Sequence, residues 1–90
     1  MKVLRFTAIW CSACLVMKKI FKHVENMHPE LEFINYDYDS DEELVEKYDI
    51  GTTIPVLIFL DENEVEVTRI VGEKTYEEIE EIIASISKEG

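Results

Sequence analysis

Ninety residues, 47% of them apolar and 32% charged, suit one globular domain and leave no room for a second. The net charge of −11 excludes a nucleic-acid binder, which needs a basic face to displace phosphate counterions. The opening MKVLRF lacks the apolar run of a signal peptide, and no window approaches the ~20 apolar residues of a membrane span, so a cytoplasmic location with no membrane partner is expected.

Lys2 to Ala8 is β-compatible and mostly apolar, as a central strand covered on both faces would be. After the turn Trp10-Cys11-Ser12-Ala13-Cys14, a helix is expected from Ser12 or Ala13 to about Met27. Its apolar stripe is Val16, Ile20, Val24 and Met27, widened by Met17 and Phe21, with Lys18, Lys19 and Lys22 facing water. Pro29 ends it, and Leu31 to Tyr38 alternates as a second strand, which makes a βαβ unit. Ser40 with Glu43 has the form of a capping box opening a short helix through Leu44, Val45 and Tyr48, and Gly51 lies beyond its end. Pro55 opens the run VLIFL; after Asp61-Glu62-Asn63 the run EVEVTRIV alternates, so the two form a hairpin whose second strand is half exposed. Thr75 and Glu78 repeat the capping box, and Ile79, Ile82, Ile83 and Ile86 stripe a final helix. The expected architecture is α/β, in the order β-α-β-α-β-β-α, with a parallel pair extended by an antiparallel hairpin.

The only two cysteines lie three positions apart, so a bond between them closes too small a loop to staple a fold. In a reducing compartment such a pair points to metal binding or catalysis. Set between a buried strand and the first turn of a helix, Cys11 meets unsatisfied N–H groups and the helix dipole. It also lies in the one cationic stretch: residues 1–24 hold Lys2, Arg5, Lys18, Lys19 and Lys22 and no acid, whereas residues 25–90 hold all twenty acids and four bases. Both influences favour a thiolate over the free thiol, which titrates near ~8.5. Cys11 is therefore the expected nucleophile, forming a mixed disulfide that Cys14 resolves into an intramolecular one.

Rival readings of these residues are weaker. A chance pair of core cysteines fits the strand-turn-helix setting poorly. Cys11, Cys14, His23 and His28 superficially resemble a zinc finger, but His23 lies some 14 Å along the helix from Cys14, beyond the reach of a shared metal. His23 reads instead as a helix-surface residue and His28, beside Pro29, as an exposed loop residue. Haem attachment needs a histidine where Leu15 stands. No metal or cofactor is expected.

The stretch VLRFTAIWCSAC, the segment KYDIGTTIPVLIFL and the glycine of RIVG together resemble the thioredoxin family, from about Val3 to the final helix. The resemblance implies a thioredoxin-like fold with a four-stranded mixed sheet between helices over residues 1–90, lacking that family's first strand and first helix, so that Leu31–Tyr38 becomes an edge blunted by Glu32, Asp37 and Asp39. It implies dithiol–disulfide exchange with protein substrates, an electron-donating reductase as partner, and a monomer. It also implies a cis peptide before Pro55, substrate pairing by the backbone of Ile54, a substrate groove shaped by Trp10, against a partly buried core aromatic as the plainer alternative, and Gly72 near that groove. Two departures stand out. Ser12-Ala13 replaces the usual Gly-Pro, which leaves redox direction open, and Arg5 stands where the family has a buried aspartate. Arg5 is expected either to reach beneath the cysteine turn and lower the titration of one or both thiols, or to snorkel into solvent. A glutathione-dependent, glutaredoxin-like reductase and a non-catalytic binding module of the same fold remain as alternatives.

Overall fold

Alternate residues along the strands point to opposite faces, and this alternation sorts the apolar side chains into two cores. The computed structural model of the protein describes residues 1–87. Strand β1 (Lys2–Thr7) sends Val3 to one side and Leu4 and Phe6 to the other, and β3 (Val56–Leu60) likewise divides Leu57 and Phe59 from Val56, Ile58 and Leu60. The first core is closed by helices α1 (Ser12–Met27) and α3 (Tyr76–Ser87), the second by the short α2 (Glu42–Lys47) together with Tyr36 and Tyr48. With β2 (Glu32–Asp37) and β4 (Glu66–Val71) the sheet order is β2-β1-β3-β4: β1 runs parallel to β2 and antiparallel to β3, which pairs antiparallel with β4. This is the expected element order and mixed sheet, and β2 is an edge. Among the described residues no helix is long and apolar enough to cross a membrane.

Four local expectations are corrected. The buried face of α1 is Cys14, Met17, Phe21 and Val24, while Val16 and Met27 are 64% and 58% exposed. Both rows fit a helical period; the one carrying the bulkier Met17 and Phe21 faces the core, which turns the expected stripe by about one residue. Ser40 does not cap α2. Asp41 occupies the N-cap, and its carboxylate turns back to accept the Asp37 N–H at 2.7 Å, holding the β2–α2 turn instead of the helix. Strand β4 begins at Glu66 instead of Glu64, because the Asp61 carboxylate accepts the N–H groups of Asn63 and Val65 and Glu64 adopts φ 61°. His28 is no exposed loop residue: its ring lies between the Glu30 and Glu80 carboxylates at 3.2 and 2.8 Å, joining the end of α1 to α3. The Thr75–Glu78 capping box forms in both directions, at 3.1 and 3.0 Å.

Candidate active site

Cys11 leaves the turn with extended backbone (φ −87°, ψ 107°) and is the N-cap of α1. Its N–H is held by the Ala8 carbonyl at 3.2 Å, so the end of β1 aims the cysteine into the first helical turn. There the backbone N–H of Cys14 donates to Cys11 Sγ at 3.1 Å, and the Cys11 thiol approaches the Ile54 carbonyl oxygen at 3.6 Å. A side chain accepting an N–H of the first turn is how a helix N-terminus is satisfied, and here the acceptor is sulfur. Both cysteines are free thiols and both are buried within the second core, beside Ala8, Ile50 and Ile54. Burial pushes the Cys14 thiol up to about 11, and its hydrogen bond with Cys11 adds to the effect.

The Ile54–Pro55 bond is cis, as the resemblance implies. The Pro55 carbonyl accepts the N–H of Gly72 at 2.8 Å, which brings Gly72 alongside this loop. Gly72 has φ 81°, and a Cβ there would meet the Thr53 methyl at 3.4 Å, so the position suits glycine. Trp10, next to Cys11 in the chain, is 59% exposed and does not belong to the core. Its indole N–H donates to Asp39 at 2.7 Å and its ring stands edge-on to Tyr38, with centroids 6.0 Å apart. The Tyr38 hydroxyl in turn donates to the Gly51 carbonyl. Sequence reasoning missed Asp39 and Tyr38; nothing distinguishes this acid from its neighbours until the chain turns after β2 and sets it over the tryptophan.

Arg5 takes neither expected course. Its side chain is only 12% exposed, so it does not snorkel into solvent. The guanidinium lies over the rings of Phe21 and Phe33 at 5.3 and 5.4 Å, and it donates to Glu25 at 3.1 Å and to Asn35 at 2.6 Å. Glu25 is eleven residues beyond Cys14 on the same helix, about 16 Å along its axis, so the arginine head points away from the cysteine turn. The Cys14 thiol moves up, with burial the largest cause.

A groove of about 610 Å³ runs between α1 and strands β1 and β2, from the two cysteines at one end to the Arg5–Glu25 pair at the other. Among the described residues no three or more His, Cys, Asp or Glu side chains gather to hold a metal. His23 instead stacks edge-on against Tyr76.

An N-capping cysteine that accepts the N–H of a second cysteine, beside a cis-proline loop, on a sheet of order β2-β1-β3-β4, defines a thioredoxin-fold protein. The comparisons agree. The family model described as Thioredoxin matches residues 1–85, and the chain belongs to the thioredoxin family. It is 34% identical to thioredoxin H5 of Oryza sativa subsp. japonica over 96% of its own length and 62% of that protein, and 30% identical to thioredoxin H3 of Arabidopsis thaliana over 96% and 68%. The chain thus spans a little under two thirds of the rice relative. Among solved structures, the thioredoxin of Fasciola hepatica superposes with a TM-score of 0.81 at 30% identity, covering 93% of this chain and 78% of that one. The thioredoxin of Trypanosoma brucei brucei reaches 0.86 at 22% identity, covering 97% and 74%, a likeness of fold.

Proposed function

We propose that this chain is a thiol–disulfide oxidoreductase for protein disulfides, with Cys11 as the attacking sulfur and Cys14 as the resolving one. The observation that carries this reading is the hydrogen bond from the Cys14 N–H to Cys11 Sγ, since an attacking sulfur must be anionic and this one has a donor already directed at it. The Cys11 thiolate attacks one substrate sulfur, forming a mixed disulfide and releasing the first substrate thiolate. Cys14 then loses its proton and attacks the Cys11 sulfur, releasing the second. The raised titration of Cys14 supports this division of labour, because a thiol that stays protonated does not compete for the first attack.

Ile54 offers its backbone to an extended substrate segment, as in β-strand addition, with Trp10 at the rim and Gly72 and Pro55 shaping the adjoining wall. The working direction is reduction, with an electron-donating reductase restoring the dithiol of a cytoplasmic monomer. Dithiothreitol-driven reduction of insulin tests the activity, and a docking module with idle cysteines would not accelerate it. Cys14→Ser should trap mixed disulfides with protein substrates and Cys11→Ser should react with none. An active Cys11→Ser protein would reverse the assignment.

A further inference from the structure

The groove along α1 carries two lysines on the same helix as Cys14. Cys14, Lys18 and Lys22 stand at i, i+4 and i+8 of α1 and share one face, which sets the two ammonium-bearing residues about 6 and 12 Å along the axis from the cysteine. Among the described residues no carboxylate lies within ion-pair distance of Lys18 or Lys22. The groove also holds Arg5, Glu25 and Asp37. Arg5 and Glu25 neutralise one another at the far end, and Asp37 turns one carboxylate oxygen to the N–H groups of Asp39 and Ser40. With three cations against two carboxylates the groove keeps an excess of one positive charge, carried by Lys18 and Lys22, in a chain whose net charge is −11. An anion meets repulsion over most of this surface and attraction here, an arrangement that focuses a field into a cleft.

Its volume, about 610 Å³, suits a small molecule. Leu15, which is exposed, offers apolar surface for methylene groups, and both cysteines line the groove.

We propose that this groove binds low-molecular-weight disulfides that carry carboxylates, holding the acid groups on Lys18 and Lys22 while the S–S bond lies at Cys11. This rests on the oxidoreductase reading and adds a second class of substrate to it. The Cys11 thiolate attacks one sulfur, the bound half remains as a mixed disulfide, and the other half leaves as a thiolate that takes a proton from water. Cys14, its proton lost to water in the groove, displaces the second thiolate. One dithiol and one small disulfide become one protein disulfide and two small thiols, so the pre-reduced protein supplies both electrons.

Single-turnover oxidation of the reduced protein by three probes tests this: dithiodipropionate as dianion, hydroxyethyl disulfide as neutral reference and cystamine as dication. Each rate is divided by that of dithiothreitol with the same probe, which removes differences in intrinsic reactivity. The wild type should favour the dianion over the neutral probe by at least ~10-fold, the low end of electrostatic steering, and should discriminate against the dication. The preference should collapse in Lys18→Gln/Lys22→Gln and at ~0.5 M salt. The ratio separates binding from any general effect of the lysines on the cysteines, because such an effect moves all three rates together. An equal ratio in wild type and double variant overturns the inference. Insulin reduction by the wild type, run alongside, distinguishes the two failures: if insulin is reduced, the inference falls alone, and if neither insulin nor any probe reacts, the oxidoreductase reading falls with it.

Discussion

Cys14 remains protonated in the folded dithiol well beyond the pH at which an unfolded cysteine ionises, because its sulfur is buried and hydrogen-bonded to Cys11. A group whose folded value is raised contributes stability that is fully present below the unfolded value, here 9.0, and is lost as pH rises through the folded one, about 11. The reduced protein should therefore lose stability progressively between these limits. Denaturant unfolding across that range checks it; Cys14→Ser and the oxidised protein, which lack this thiol, should show no such loss. Arg5 packs its guanidinium over Phe21 and Phe33 and donates to Glu25. Arg5→Ala should destabilise by about 1–3 kcal/mol by emptying the space between Phe21 and Phe33 and leaving Glu25 unpaired, while ultraviolet absorbance of the Cys14 thiolate titrates as in the wild type. The place of Cys11 and Cys14 at the first turn of α1 was legible because a strand pattern ends just before them and a helical one begins just after. The course of Arg5 was not, because its partners lie 20 and 30 residues away and meet it only through helix packing and the register of β1 with β2.

The two capping boxes read alike in sequence and differ in structure, which makes them a controlled comparison at the level of elements. Thr75 caps α3, so Thr75→Ala should cost about 1 kcal/mol in urea unfolding, whereas Ser40→Ala should stay within about 0.5 kcal/mol because Ser40 caps nothing. The α1–α3 join through His28 is pH-dependent. Burial of the ring lowers its titration, but hydrogen bonds to Glu80 and Glu30 and their charges outweigh burial and leave it raised above 6.5. The contribution of protonated His28 is thus whole below about pH 6.5 and disappears as pH climbs through the folded value. His28→Asn should flatten unfolding free energy against pH in that window. Helix and strand positions were readable from periodicity, yet the facing of α1 was not, since Val16 and Met17 sit in two rows of equal period and only the shape of the core chooses between them.

Over the molecule as a whole, acids outnumber bases and few are paired, so self-repulsion outweighs the attraction that salt would weaken, and the thermal midpoint should rise as salt is raised from ~0.01 to ~0.5 M. A falling midpoint would mean that the ion pairs of Lys2, Arg5, His28 and Arg69 dominate instead. The fold could be read at this scale because strand–helix alternation followed by a hairpin leaves few sheet orders open. The groove could not, since it exists only where one face of α1 stands over the edge of the sheet. The burial of both thiols reaches further than packing. Cys11 and Cys14 are members of the second core, so unfolding, reduction, refolding and oxidation form a closed thermodynamic cycle around the same two side chains. Whatever stability separates the dithiol from the disulfide form must reappear in the reduction potential, at ~30 mV for every 1.4 kcal/mol, measured against the same pair in the unfolded chain. A distant core substitution that favours one form over the other would therefore retune the electron chemistry without touching sulfur, and two melting curves would report it.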